Sequence, residues 1–231
     1  MNIKDYTKFA KDKLGLVFKN ETLLVEAFTH RSYLNEHKKS VKTHNERLEF
    51  LGDAVLELVV TEHLFNHYNE PEGTLTAWRS ALVRTESIGD AARRLGMEPL
   101  MRLSRGERQG SERARRQILA NAFEALIGAI YLDQGYDAAK RFIEDNIIVK
   151  LEGILKNKSW RDPKSLLQEL AQSRDGMTPS YKVLKEEGPD HDKDFTIGVF
   201  IGDKLLGEGR GPSKQAAQQA AARNGLKYYY G

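Results

Sequence analysis

The stretch that most constrains this chain runs from His44 to Val60, His-Asn-Glu-Arg-Leu-Glu-Phe-Leu-Gly-Asp-Ala-Val-Leu-Glu-Leu-Val-Val. At about 100° per residue, Glu46, Glu49 and Asp53 fall within roughly 60° of one another on one helix face. Leu48, Phe50, Leu51, Val55, Leu58 and Val59 occupy nearly all the remaining circumference. A helix apolar almost all round is expected to be buried. Three carboxylates on such a helix are costly to desolvate unless cations compensate them. Hard oxygen donors at this spacing suit Mg²⁺ or Mn²⁺. The competing reading is a solvated acidic stripe on a surface helix. Glu57, one turn further on, reads as the solvated end of such a stripe.

A second helix has the same character. Gln117 to Tyr131 is apolar on nearly every side, interrupted by Asn121 and Glu124, which share a face at i and i+3. Ala120, Ala125, Gly128 and Ala129 would let it approach a neighbour closely. The segment before it is unusual in charge: Arg102, Arg105, Arg108, Arg113, Arg115 and Arg116 stand against Glu107 and Glu112. Read as a loop, it fits phosphate contact, or else a solvated connection between helices. The net charge of +3 is too mild to argue nucleic-acid binding alone.

Other helices are expected over 5–14, 21–28, 75–83, 87–95 and 137–155, with the central one extending to about Tyr68 and a polar loop from Asn35 to Thr43. No convincing strand appears before about residue 155, so this part reads as an all-α domain. Asp162-Pro163 starts a helix, with Asp as N-cap and Pro at the first helical position. The period then changes to strands at 180–186, 195–201 and 204–209, and Ser213 caps a last helix. The expected architecture is an all-α domain over 1–155, a linker at 156–161 and a small α+β (α-β-β-β-α) domain over 162–231. With no cysteine among 231 residues, disulfides and thiolate metal sites are excluded. No apolar run is long enough to span a membrane and no apolar signal segment opens the chain, so a cytoplasmic location is expected.

Asn45-Glu46-Arg47-Leu48-Glu49-Phe50-Leu51-Gly52-Asp53 resembles the signature of the ribonuclease III family. The run from Ile118 to Ala129 resembles that family's second catalytic helix, and the α-β-β-β-α tail resembles a double-stranded-RNA-binding domain. The resemblance implies a homodimeric, Mg²⁺-dependent endonuclease, with Mn²⁺ as an acceptable substitute. It would cut both strands of duplex RNA, leaving 5′-phosphates, 3′-hydroxyls and short 3′ overhangs, in ribosomal-RNA precursors and messengers. It places Glu49, Asp53 and Glu124 in the metal-ligand positions, Asp53 and Glu124 being the catalytic pair. Asn121 takes the fourth position, where the family has Asp. It gives Glu46 and Glu72 supporting acidic roles and packs Phe50 into a partner subunit. In the tail it implies RNA contacts by Gln168, Glu169, His191, Ser213 and Lys214, beside Arg115 and Arg116 of the first domain.

Phosphodiester hydrolysis needs an activated water, and neither motif core holds a His to act as base. Metal-assisted chemistry is therefore expected rather than attack by the 2′-hydroxyl, with His30 structural. Residues 161–231 hold eleven basic against ten acidic side chains. Weak duplex binding by the tail alone follows, with the first domain supplying much of the rest. Asn121 keeps open a second reading, an RNA-binding protein that does not cut; a scaffold that uses the acidic stripe for packing is the third.

Overall fold

The structure, a computed structural model, describes residues 2–158, 160–188 and 193–230. The chain divides into two compact units, Met1–Trp160 and Arg161–Gly231, each with its own apolar core. In the first, α1 (Ile3–Phe9) carries a capping box at Asn2 and runs on through a π turn, Ala10–Leu14, closed by Gly15. Then come α2 (Glu21–Ala27), α3 (Arg31–Glu36), α4 (Glu46–His67), α5 (Glu72–Val83), α6 (Thr85–Arg94), α7 (Arg105–Arg108), α8 (Glu112–Gln134), α9 (Tyr136–Asn146) and α10 (Leu151–Lys156). Among the described residues, its one β pairing is an isolated parallel bridge between Thr29 and Arg102. Trp160 packs edge-on against Trp78, so part of the expected linker belongs to the first unit's core.

Several boundaries differ from the sequence reading, for identifiable reasons. A short helix not expected from the sequence, α3, precedes and overlaps the start of the expected polar loop from Asn35, and its N-cap is the His30 side chain, accepting from Ser32 N. The helix carrying Asn121 starts at Glu112 rather than Gln117, because Ser111 caps it by accepting from Ala114 N at 3.2 Å. The expected helix over 137–155 breaks at Ile147, where a 3₁₀ turn separates α9 from α10.

Two long helices, α4 and α8, cross at the centre. Gly52 on α4 lies against the backbone of α8, where a Cβ would stand 1.7 Å from the Glu124 carbonyl oxygen. Gly128 answers from α8, where a Cβ would stand 2.3 Å from the Leu48 carbonyl oxygen. The two glycines therefore nest the helices in backbone contact, the close approach that the small residues of α8 foretold. Leu48, Val55, Leu56, Val59 and Val60 seal the buried side of α4. Its opposite side corrects the expectation of burial all round: Phe50, Leu58 and Phe65 form a stripe that is 82, 57 and 76% exposed.

In the second unit α11 (Pro163–Asp175) precedes an antiparallel sheet, β1 (Ser180–Glu187), β2 (Asp194–Ile201) and β3 (Lys204–Gly211), paired in the order β1-β2-β3. The last helices are α12 (Lys214–Gly225) and α13 (Lys227–Tyr230). Alternate residues of β3, Gly207, Gly209 and Gly211, meet the backbone of α12, so that helix lies directly on the sheet. Leu166, Leu167, Ile197, Val199, Ala217 and Ala221 fill the space between.

Candidate active site

The α4–α8 crossing fixes the acidic cluster. Glu46, Glu49 and Asp53 lie on the N-terminal turns of α4, Asn121 and Glu124 on α8, and the glycine contact sets the gap between the two groups. Glu124 is half-buried, and its carboxyl is pushed up to about 8, first by burial and then by the charges of Asp53 and Glu49. Glu49 is raised by burial, then by Glu46 and Asp53, while a hydrogen bond from the Asn121 side chain favours its ionised form. Asn121 Oδ1 in turn accepts from Gln117 Nε2 at 2.8 Å. Asp53 stands exposed at the rim. Among the described residues, no three His, Cys, Asp or Glu side chains close into a cage for a cation. The arrangement is instead an open set of mutually repelling carboxylates. That suits Mg²⁺, which commonly takes one or two carboxylates and completes its shell with water and substrate phosphate.

The flanking acids differ in their surroundings. Glu46 heads α4 within 3.5 Å of Arg31 Nη1 and 3.8 Å of His44 Nδ1. Glu57 pairs with Arg79 at 3.0 Å, which makes it an ion-pair partner rather than a solvated stripe end. Glu72 sits exposed in the first turn of α5 and is not among the charges that shift Glu49 or Glu124.

The arginine-rich segment is pinned by the backbone to the turn between α2 and α3. Arg102 N donates to Phe28 O and His30 N donates to Arg102 O, at 2.9 and 3.1 Å. A side-chain relay continues the link: Ser104 N donates to Ser32 Oγ, which lies 2.8 Å from His30 Nδ1. His30 is thus a cap and a tether, and burial lowers its pKa, which keeps Nδ1 free to accept. Arg115 and Arg116 are half-buried and engage Glu112, at 3.1 and 4.0 Å, and Arg116 also reaches Asp90. Arg105, Arg108 and Arg113 are the members of the run that face solvent.

In the second unit Gln168 and Glu169 are exposed and line an open groove with Ser165, Gln172 and Ser173. Glu169 is paired with Arg161 at 3.2 Å. Ser213 caps α12 by accepting from Ala216 N, and Lys214 holds its Nζ 5.7 Å from the Phe195 ring centroid. His191 lies outside the described residues.

Comparison with known proteins agrees with this geometry. A family profile described as "Ribonuclease-III-like" matches residues 20–151, and one described as "Double-stranded RNA binding motif" matches residues 163–229. A Ribonuclease 3 from Enterococcus faecalis is 44% identical over 219 residues, covering 94% of both chains. The chain belongs to the ribonuclease III family. A Ribonuclease 3 from Protochlamydia amoebophila is 47% identical over 215 residues, 93% of this chain and 88% of that one. The nuclease domain of a ribonuclease III from Campylobacter jejuni superposes with a TM-score of 0.54 at 41% identity, covering 60% of this chain and 96% of that one. As a ribonuclease III this protein is an endoribonuclease specific for double-stranded RNA, of a generally metal-dependent family, and its second unit is a double-stranded-RNA-binding module. No helix among the described residues is long and apolar enough to cross a membrane.

Two features escaped the sequence reading. Gln117 had a readable signal, its i, i+4 spacing from Asn121. The His30–Ser32–Ser104 relay had none, because it joins residues 72 positions apart.

Proposed function

We propose that this ribonuclease III is a Mg²⁺-dependent homodimer that cuts both strands of duplex RNA. The products carry 5′-phosphates, 3′-hydroxyls and short 3′ overhangs, and the substrates are ribosomal-RNA precursors and other structured RNAs in the cytoplasm. The observation that carries this reading is the Glu49–Asp53–Glu124 cluster. Burial, and then the charges of Asp53 and Glu49, push the Glu124 carboxyl up to about 8, so a positive charge there would be favoured. The chemistry that a divalent ion would supply at these carboxylates is acidification of a water and neutralisation of charge developing on the phosphate. As a ligand Glu124 would have to be ionised, so binding there would be accompanied by loss of its proton. Glu49 and Asp53 would hold the ion from the α4 side and Asn121 and Glu124 from the α8 side, with Glu46 and Glu72 as supporting acids. The exposed face of the cluster admits the backbone of an RNA, and Gln168, Glu169, Ser213 and Lys214 are the candidate contacts across its minor groove. The deciding experiment is incubation of labelled duplex RNA with the protein in Mg²⁺ or in EDTA. Shorter 5′-phosphorylated duplex products in Mg²⁺ alone are expected. A gel shift without products would replace the nuclease by a binding protein.

Two further results are expected from this reading. One chain supplies one acidic cluster, so cutting both strands takes two chains. The stripe of Phe50, Leu58 and Phe65 is the surface suited to a self-complementary two-fold contact. In the Campylobacter jejuni nuclease domain, a flexible region takes part in dimer formation. Phe50→Ala should weaken the dimer by on the order of 100-fold or more, since each of the two copies forfeits a buried aromatic worth about 1.5–3 kcal/mol. Sedimentation at nanomolar concentration checks this; an unchanged dimer with unchanged activity removes Phe50 from the interface.

Removing residues 161–231 should weaken duplex binding and flatten its dependence on salt, because that slope counts phosphate contacts. Cutting should persist at low salt and high Mg²⁺, the acidic cluster lying wholly in the first unit, which has its own core. Loss of all cleavage by a folded, dimeric truncation under those conditions would refute this division of labour.

A further inference from the structure

His63 and His67 stand one turn apart at the C-terminal end of α4, and the functional reading gives them no part. Their rings stack with centroids 4.2 Å apart and planes 21° from parallel. His67 is exposed, and its Nδ1 lies 2.8 Å from the His63 carbonyl oxygen. A carbonyl oxygen only accepts, so Nδ1 carries the hydrogen and the lone pair of the neutral His67 ring sits on Nε2. Ligating imidazoles commonly have this arrangement, one ring nitrogen donating to a backbone carbonyl and the other left for the metal. His63 is half-buried. Burial first, and then its neighbour His67, lower the His63 pKa; of the charges on α9, Glu144 opposes this and Lys140 adds to it. His63 is thereby held in the neutral form, the one that binds metal.

We propose that His63 and His67 form a second metal site, a two-imidazole chelate for a divalent cation of the Zn²⁺, Ni²⁺ and Cu²⁺ class, which clamps the last turn of α4. The site does not rest on the acidic cluster, from which it differs in place and in chemistry. His67 lies roughly 21 Å along the helix axis from Asp53, at about 1.5 Å per residue. Imidazole nitrogen suits Zn²⁺, Ni²⁺ and Cu²⁺, whereas Mg²⁺ prefers oxygen donors such as those of the cluster. The i, i+4 spacing keeps both side chains on one face of a formed helix. Once one nitrogen has bound, the other closes the chelate as an intramolecular step. Among the described residues no three His, Cys, Asp or Glu side chains close around a cation, so water completes the shell of an open site. A histidine pair that served only to cap the helix would stack in the same way but would take up no metal.

The test is calorimetric titration of Zn²⁺ into the full-length protein in excess Mg²⁺, which competes for the oxygen donors, with wild type, His67→Gln and His63→Gln. Glutamine is a good helix former and keeps an N–H donor, and His67→Gln alters an exposed position, so that variant decides the matter even if His63→Gln folds poorly. Either substitution is expected to weaken Zn²⁺ binding by about tenfold or more, because a two-point grip is reduced to one. Acidification below about pH 5.5 should weaken wild-type binding as well, since protons then compete for both imidazoles. Zn²⁺ should raise the thermal unfolding midpoint of the wild type more than that of His67→Gln, because a ligand of the folded state stabilises it in proportion to its affinity. With Mg²⁺ alone, His67→Gln should cut duplex RNA at the wild-type rate. Zn²⁺ binding retained in full by His67→Gln overturns the inference, as does a wild-type protein that takes up no Zn²⁺ in excess Mg²⁺; neither result touches the acidic cluster.

Discussion

Glu124→Gln is expected to reduce cleavage of duplex RNA by about three orders of magnitude or more, some 4 kcal/mol of transition-state stabilisation, while making the metal-free protein more resistant to heat. Both effects come from one side chain. Glutamine matches glutamate in size and keeps an oxygen, so the α4–α8 crossing survives, but it brings no charge to a cation. Burial and the neighbouring Asp53 and Glu49 raise the Glu124 carboxyl from 4.5 to about 8. Below pH 4.5 the group is protonated folded and unfolded alike, and it contributes no pH-dependent difference. Between pH 4.5 and about 8 the folded protein retains a proton that the unfolded chain has lost, so stability falls as pH rises, and above about 8 the full penalty is present. At neutral pH the penalty is about 1–2 kcal/mol after allowance for partial exposure to solvent. Removing it should raise the melting temperature by about 2–4 °C for each kcal/mol.

Scanning calorimetry in EDTA, near pH 4.5 and near pH 8, checks this: the two proteins should melt together in acid and diverge at the higher pH. Adding Mg²⁺ should reverse the order, because the wild type gains binding energy that the variant lacks. A melting difference equal at both pH values would mean that Glu124 is not held protonated, and robust cutting by the variant would remove it from the site. Duplex binding should be largely retained, since Glu124 is not among the proposed RNA contacts of either unit.

The acidic cluster was legible in the sequence because helical periodicity is a local property. Glu46, Glu49 and Asp53 had to share a face once α4 formed, and Asn121 and Glu124 had to share another on α8. The small residues of α8, Gly128 among them, signalled a close neighbour, but that the neighbour is α4, met at Gly52, came from the structure. Periodicity misled where it took apolar residues on every side of α4 to mean burial within one chain. Phe50, Leu58 and Phe65 are left exposed, and hydrophobicity alone does not say whether a core or a second molecule covers such a face. The start of α8 was missed because Glu112 to Arg116 contains no apolar repeat, leaving Ser111 as the sole marker. Helix α3 was missed for a related reason: six residues offer less than two turns of pattern, and a histidine cap lies outside the usual capping set.

Gly52→Ala should be the most damaging of the glycine-to-alanine changes in this protein's first unit. The new Cβ would stand 1.7 Å from the Glu124 carbonyl oxygen, 2.6 Å from its carbon and 2.9 Å from Gly128 N. All three are backbone atoms, so no side chain can swing aside, and α4 and α8 must separate by roughly 1.5 Å to restore ordinary contact. Separation loosens the packing of Leu48, Val55, Leu56 and Val59 against α8 at once. The expected loss is about 3–5 kcal/mol, against a total of about 5–15 kcal/mol for a typical domain. The same displacement parts Glu49 and Asp53 from Asn121 and Glu124, and a shift of an ångström at a reacting centre can cost about 100-fold in rate. Cleavage should therefore fall by about that factor even at temperatures where the variant is folded. Gly128→Ala strikes the same contact from the other helix, with its Cβ 2.3 Å from the Leu48 carbonyl oxygen. Because the gap opened for one methyl also admits the other, the double variant should lose clearly less stability than the sum of the single losses. Thermal unfolding of the four proteins, paired with cleavage rates below the lowest melting transition, measures both. Additive losses, or a Gly52→Ala protein within about 0.5 kcal/mol of wild type, would show that the helices are not held in backbone contact and that something else sets the spacing of the carboxylates.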